Sequence, residues 1–304
     1  MQSVSYWRNL LKSAEASRGN NRTAFLLRTN NFDIPVQVLA RCLRTFLEAP
    51  ITIICDESDG PIEVHDFDKI SLTRESVQAL GITKLPENWG WFCGDLCYYI
   101  AEKELPGFEY YCLIESDVFF SDSAANTFKS ILDCSKAEVL AARLGPKPKT
   151  PRYSKGLKHL GLNANWGCLF PVTRVRSPVI HKMMALRIRN ESASGKYVLN
   201  DEAILASVTF ENDFSYVDLS DKYPRMFSES SFSSNPPHLF EALVDTSSDP
   251  QVYHPVVQFK TIMNRINSGE KNYTRFRLRK VFEYASRDMK KEMKLALLSK
   301  NEMQ

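Results

Sequence analysis

Two acidic residues interrupt an apolar segment in the middle of the chain. The segment Leu113–Phe120 reads LIESDVFF, so Glu115 and Asp117 are flanked on both sides by apolar side chains. An ionised carboxylate in such surroundings is unfavourable unless a cation or several hydrogen-bond donors compensate its charge. Residues i and i+2 of an extended segment point the same way. The pattern therefore predicts that both carboxylates face one Mg²⁺ or Mn²⁺, which would also bind substrate phosphates. The alternative is an acidic strand end that makes turn hydrogen bonds.

The segments before this acid pair predict a parallel sheet that would position it. Residues 23–31 and 51–58 are apolar runs without alternation, typical of strands covered on both faces. Between them, residues 36–47 carry apolar side chains at helical spacing. This strand–helix–strand order favours an α/β fold. Further strands are predicted at 110–120, 139–144, 167–175 and 214–219, and helices near 74–80 and at 178–189, 200–208 and 273–300.

An apolar strand that ends in acid–x–acid after two strand–helix units resembles the D-x-D element of GT-A-fold glycosyltransferases. The resemblance spans roughly residues 23–258. It implies a Rossmann-like three-layer α/β/α domain with a mostly parallel central sheet. It also implies transfer of a sugar from a nucleotide diphosphate sugar, with a UDP-sugar favoured, to a glycan or glycolipid acceptor. On this basis the chain divides into a lead-in (1–22), a catalytic domain (23–258) and a basic helical tail (259–304).

The resemblance also assigns residues to the nucleotide. Arg28 and Asn30 end the first strand and Asp56 ends the second, where GT-A enzymes commonly hold the base and ribose. Asp95 precedes a predicted helix and is expected near the ribose or near a basic partner. The alternatives are a turn or cap role for Asp56 and a helix N-cap role for Asp95.

The sugar side of the predicted site involves an aromatic residue and a pair of acids. Trp166 opens the strand after a basic loop (147–158) and is expected to stack on a sugar ring, or else to pack in the core. Asp201, first choice, and Glu202, second, start a helix; the resemblance makes them the general base or the group that holds donor-sugar hydroxyls. The alternative is that they only stabilise the helix dipole. The order Asp-Glu leaves inversion or retention of the anomeric centre open.

Two late residues complete the prediction. His254 is expected as the third metal ligand, and Lys260 as a cation that neutralises the leaving phosphate. A histidine in this position is otherwise structural. The Ser- and Pro-rich segment 228–237 is expected at the mouth of the site, where it would help to exclude water.

Composition limits the other interpretations. The chain has 304 residues and a net charge of +3, too small for a dedicated nucleic-acid binder. It has no apolar run long enough to span a membrane, and its seven scattered cysteines suggest reduced thiols, so a cytoplasmic protein is expected. Cys93 and Cys97 are expected to be packed thiols rather than a zinc pair.

The tail carries most of the positive charge. Residues 259–304 hold 12 Lys and Arg against 5 Asp and Glu. One interpretation is peripheral contact of the 273–300 helix with an anionic membrane, through Phe276, Val281, Phe282, Ala285, Met289 and Met293. The other is that this apolar face packs on the chain's own domain. For the whole protein, a nucleotidyltransferase and a non-catalytic scaffold remain the alternatives to a glycosyltransferase.

Overall fold

A seven-stranded sheet organises the protein. The computed structural model describes residues 22–193, 198–243, 250–270 and 278–301. The sheet has the strand order β3-β2-β1-β4-β7-β6-β8. Its strands are β1 (Thr23–Thr29), β2 (Ile51–Asp56), β3 (Asp68–Leu72), β4 (Tyr110–Glu115), β6 (Val139–Pro146), β7 (Trp166–Arg176) and β8 (Tyr216–Asp218). Only β7 runs antiparallel to its two neighbours, so the predicted mostly parallel sheet is confirmed.

Helices cover both faces of this sheet. The helices are α1 (Ile34–Leu47), α2 (Arg74–Gln78), α3 (Trp89–Phe92), α4 (Leu96–Glu104), α5 (Asp122–Cys134), α6 (Lys155–His159), α7 (Ser177–Ala193), α8 (Asp201–Glu211), α9 (Leu219–Lys222), α10 (Phe240–Leu243), α11 (Phe259–Asn267), α12 (Arg279–Tyr284) and α13 (Arg287–Asn301). Successive residues of β1 alternate between two cores: Leu26 packs with α4, α7 and α8, whereas Phe25 and Leu27 pack with α1 and α5. The predicted three-layer α/β/α class is therefore confirmed.

Helix α1 shows why the local predictions succeed. The five residues placed on its apolar face are all buried, namely Val36, Leu39, Ala40, Leu43 and Leu47. Asp33 caps its first turn by accepting a hydrogen bond from the Val36 N–H, and Pro35 lies in the first turn, where a missing N–H has no consequence.

The strand predicted over 110–120 is shorter than expected. β4 ends at Glu115, and Ser116 and Asp117 form a turn. β1 pairs with β4 as far as Arg28 opposite Glu115, and the chain turns there, with the Val118 N–H donating to the Glu115 carbonyl at 3.2 Å. The Phe119–Phe120 segment (β5) instead pairs antiparallel with β10 (Val252–Tyr253) in a separate two-stranded sheet. The two acids are thus brought together by a turn rather than by the pleat of one strand.

The prediction of a single helix over 273–300 is also wrong, because the described part of this segment contains two helices. Residues 271–277, including Phe276, lie outside the described residues. Ala285 is extended and separates α12 from α13, and Ser286 caps the second helix by accepting from the Met289 N–H. Val281, Ala285 and Met293 are buried against Ile262 and other residues of α11. The proposed apolar membrane contacts are therefore largely used for packing within the chain. Among the described helices, none combines the length and apolar character of a membrane span.

All seven cysteines are free thiols, and five of them are buried. Burial raises the pKa of both Cys93 and Cys97 to about 12. Thiols this hard to ionise are poor metal ligands, which agrees with the prediction of packed thiols.

Candidate active site

One large cleft opens at the carboxyl edge of the parallel strands. Its volume is about 850 Å³. The ends of β1, β2 and β4, the start of α8 and the segment before α11 all contribute to its wall. Eight residues predicted for the site line this cleft: Arg28, Asn30, Asp56, Glu115, Asp117, Asp201, Glu202 and His254. The segment 228–237, expected at its mouth, contributes Ser234, Asn235 and Pro237.

Three of these residues form a cluster that fits a divalent cation. One ligand atom from each of Glu115, Asp117 and His254 lies within 4.8 Å of the other two. The His254 Nε2 and Asp117 Oδ1 atoms are 3.5 Å apart. Ligands on opposite sides of an octahedral Mg²⁺ are about 4.2 Å apart, twice a bond of about 2.1 Å. Small side-chain shifts would therefore let all three reach one Mg²⁺ or Mn²⁺.

The imidazole of His254 is held in the orientation that a metal ligand needs. His254 is buried, and its Nδ1 lies 2.9 Å from the backbone carbonyl oxygen of Ser233. A carbonyl only accepts, so Nδ1 carries a proton, and in the neutral imidazole the lone pair then lies on Nε2, the nitrogen facing Asp117. Metal-binding histidines are commonly fixed by such a contact.

Arg28 links the metal cluster to the loop before α4. Its guanidinium donates to Glu115 Oε1 at 2.5 Å and also to the carbonyl of Gly90. Burial raises the pKa of Glu115, Arg28 counteracts the rise, and Asp117 adds to it. One Glu115 oxygen is thus occupied by Arg28, and the other is left for a cation.

Asp201 and Glu202 lie in different environments at the start of α8. Asp201 is buried, and its two carboxylate oxygens accept the N–H groups of Gly94 (2.9 Å) and Glu202 (2.8 Å). Burial, followed by the charge of Glu202, raises the pKa of Asp201 well above its usual value. Glu202 is half-buried, and its carboxylate accepts from the Asn200 side chain at 3.3 Å. Asn200 also caps the helix by accepting from the Ala203 N–H.

The segment from α3 to the start of α4 approaches the site so closely that a side chain at either of two glycines would displace site residues. A Cβ on Gly90 would lie 2.1 Å from Asp56 Oδ2. A Cβ on Gly94 would lie 2.4 Å from Arg28 Nη1 and 2.6 Å from Asp201 Oδ2. The backbone of this segment therefore packs directly against the side chains of Asp56, Arg28 and Asp201.

We expect Gly94→Ala to disrupt the site because its Cβ would displace both the Arg28 guanidinium and the Asp201 carboxylate. Nucleotide binding should weaken at least tenfold, measured by isothermal titration calorimetry. Gly145→Ala is the matched control, because a Cβ there meets nothing within 4 Å. Equal binding by the two variants would contradict the predicted role of the loop.

Asp95 lies outside the cleft, with the basic partner that was one of its predicted roles. Arg187 donates to both of its carboxylate oxygens, at 2.6 and 2.5 Å, and Tyr99 donates a third hydrogen bond. Both charged side chains are almost fully buried. Asp95 also occupies the N-cap position of α4, as the alternative predicted, but its side chain makes no capping hydrogen bond to the helix.

Two other predicted residues also lie outside the cleft. Trp166 packs on Phe210, with ring centroids 4.9 Å apart, and Lys260 is exposed on α11. In their place the cleft has Trp91, which is 68% exposed, and Arg265. Trp91 lies in the aromatic segment before α4, but nothing in its spacing distinguishes it from its buried neighbour Trp89. Arg265 lies five residues beyond Lys260 on the same helix, so only its helical phase separates the two.

Comparison with known proteins yields solved structures of low similarity. Mouse xyloside xylosyltransferase 1, apo form, is 11% identical with a TM-score of 0.36, over 76% of this chain and 97% of that one. Core-mannan synthase A from Aspergillus fumigatus, in an Mn/GDP form, is 11% identical with a TM-score of 0.39, over 66% and 72%. The inositol-1-phosphate CTP transferase from T. maritima is 11% identical with a TM-score of 0.33, over 65% and 84%.

Glycosyltransferases and nucleotidyltransferases thus both occur among the structures that this chain resembles. No family model matches the chain, and no curated protein matches it. The fold assignment rests on the strand order of the sheet, and the functional assignment rests on the contents of the cleft.

Proposed function

We propose that the protein is a metal-dependent glycosyltransferase that moves a sugar from a nucleotide diphosphate sugar to a glycan or glycolipid hydroxyl. The observation that supports this most directly is the Glu115–Asp117–His254 cluster, at the carboxyl edge of the sheet and in the same cleft as Asp201 and Glu202. Ligands of open α/β sheets bind at this edge. The cleft also has the volume of a small-molecule substrate site.

Asp117, His254 and the free oxygen of Glu115 would hold Mn²⁺ or Mg²⁺. The bound ion would stabilise the negative charge of the departing nucleoside diphosphate. Asp56 and Asn30 would bind the nucleoside, with a UDP-sugar favoured. Arg28 already neutralises Glu115. Its role in this proposal is therefore to hold Glu115 and the Gly90 backbone in position relative to each other, rather than to bind the nucleotide directly.

Glu202 is the better of the two acids for receiving a proton from the acceptor hydroxyl. Its carboxylate is half-buried, lines the cleft and has a pKa of about 7, which suits a group that must both accept and release a proton near neutral pH. Asp201 has both oxygens engaged by backbone N–H groups, so we assign it to holding the loop and the donor sugar. Trp91, in place of Trp166, would offer an aromatic face to a sugar ring.

The raised pKa of Glu202 predicts a specific pH dependence of stability. Burial is the main cause of the rise from its usual 4.5 to about 7. The folded state then binds this proton more tightly than the unfolded state, so between these pH values the free energy of unfolding falls as pH rises. We expect Glu202→Gln to remove part of this decline, measured by urea unfolding at pH 4.5 to 7. The exposed Glu229→Gln variant should retain the decline in full, and an unchanged slope in Glu202→Gln would contradict the prediction.

A turnover assay tests the proposed function. The purified protein is incubated with Mn²⁺ or Mg²⁺, a panel of UDP-, GDP- and CMP-sugars and a panel of glycan acceptors, and the nucleotide products are identified by chromatography. Release of a nucleoside diphosphate with transfer of the sugar supports a glycosyltransferase. In a parallel incubation with nucleoside triphosphates and sugar phosphates in place of the nucleotide sugars, formation of pyrophosphate would instead identify a nucleotidyltransferase. Failure to bind any nucleotide would favour a scaffold.

A further inference from the structure

We infer that Arg143, which lies outside the catalytic cleft, is a positioning residue for the metal site. It acts on His254 through the segment Ser231–Ser233. This inference rests on the proposed metal cluster but concerns a different part of the molecule.

Arg143 is fixed by an irregularity in β6. The pairing of β6 with β7 shifts register on both sides of this position, between Ala141 and Ala142 and between Ala142 and Gly145. Arg143 has a φ of 53°, a left-handed conformation that a non-glycine residue adopts only when its surroundings impose it. Its N–H donates to Asp218 Oδ1 at 2.8 Å, and its carbonyl accepts from Lys147 Nζ. The bulge turns the arginine out of the strand pairing and towards the segment beyond β8.

The guanidinium holds this segment by a backbone contact. Arg143 Nη2 donates to the carbonyl oxygen of Phe232 at 3.0 Å. The Phe232 side chain is fully buried, and its ring lies 5.5 Å from the imidazole of His254. Arg143 therefore ties the main chain beside His254 to the central sheet.

The same segment contacts His254 on its backbone and on its ring. The His254 N–H donates to the Ser231 carbonyl at 2.9 Å, and the Ser233 N–H donates to the His254 carbonyl at 3.1 Å. The Ser233 carbonyl, one residue beyond the one that Arg143 holds, accepts from His254 Nδ1 at 2.9 Å. A displacement of residues 231–233 would therefore change both the position of His254 and the direction of its Nε2. Groups that orient a metal-bound histidine influence metal affinity strongly.

The test measures binding of Mn²⁺ by loss of the free-ion electron paramagnetic resonance signal, with and without UDP or GDP. We expect Arg143→Met to weaken Mn²⁺ binding on the order of tenfold, the scale of outer-shell substitutions. Arg143→Lys retains one donor and should recover part of the affinity. Arg189→Met is the matched control, since it removes a similar arginine–carbonyl hydrogen bond, to Leu160 at 2.9 Å, far from the cluster. If Arg143→Met does not fold, Arg143→Gln, too short to reach Phe232, replaces it.

A double-mutant cycle separates positioning from general destabilisation. In a His254→Ala background, Arg143→Met should cause no further loss of Mn²⁺ affinity, because the ligand through which it acts is gone. An equal loss in the His254→Ala background, or an equal loss in Arg189→Met, would overturn the inference. Absence of Mn²⁺ binding by the native protein would instead refute the proposed metal site. Normal Mn²⁺ affinity in a folded Arg143→Met variant would refute only the role of Arg143.

Discussion

Asp117→Asn is expected to abolish the joint stabilisation of the folded protein by Mn²⁺ and a nucleoside diphosphate. The substitution preserves the size of the side chain but removes the charge of the residue that faces His254 Nε2 at 3.5 Å. Asp117 is also the carboxylate of the proposed cluster with fewer competing contacts, because Glu115 shares an oxygen with Arg28. A ligand present at 100 times its Kd stabilises a protein by about 2.7 kcal/mol, so the native protein should show a large rise in Tm that the variant lacks.

The matched control for this experiment is Asp122→Asn. Asp122 lines the same cleft but lies in the first turn of α5, outside the metal cluster. Thermal unfolding is measured for the native chain and both variants, with UDP, GDP or CMP, each with and without Mn²⁺. The control should retain the metal-dependent shift. A shift that survives in Asp117→Asn, or that needs no metal in the native protein, would contradict the proposed cluster.

The sequence predicts the layers of this fold well because the pattern of apolar residues within each strand or helix indicates which of its faces are buried. A strand covered on both faces is apolar at most positions, as in β1 and β2, and a helix that covers it repeats apolar residues at helical spacing, as in α1. The end of β4 could not be predicted in the same way. Val118, Phe119 and Phe120 are as apolar as a strand interior, yet the chain turns after Glu115, and Phe119–Phe120 pair with Val252–Tyr253, a segment far along the chain.

The position of a candidate site residue is easiest to predict when the residue lies at the end of a strand. Arg28, Asp56 and Glu115 all lie in the last two positions of parallel strands, so the topology alone places them at one edge. Asp95 and Trp166 depend on what faces them. The partner of Asp95 is 92 residues later in the chain, and Trp166 turns towards Phe210 rather than towards the cleft. Neither contact can be predicted from the residues that neighbour Asp95 or Trp166 in the sequence.

The Asp95–Arg187 pair should have the largest effect on stability among the substitutions considered. The two groups form two hydrogen bonds to each other and are 0% and 3% exposed. Burial opposes the charge of Arg187, but Asp95 more than compensates and raises the pKa of the guanidinium well above its usual value. Arg187→Met would leave the Asp95 carboxylate buried, with Tyr99 as its one remaining side-chain donor among the described residues. We expect a loss of about 3–5 kcal/mol in the free energy of unfolding, the usual effect of removing one partner of a buried pair.

Urea unfolding of Arg187→Met, of Asp95→Asn and of the double variant measures this effect. The double variant should be less destabilised than the sum of the two single variants, since neither charge is then left alone. Arg41→Met is the control, because the pair that Arg41 forms with Asp66 spans 3.9 Å on the surface, so its loss should leave the unfolding midpoint unchanged.

Asp95 directly follows Gly94, whose N–H binds Asp201. The buried pair therefore fixes the loop segment that contacts Asp201 at the base of the cleft. Both single variants should consequently bind nucleotide more weakly, even at temperatures where they are still folded. A single variant that is destabilised but binds nucleotide normally would separate the pair from the site and restrict its role to the core.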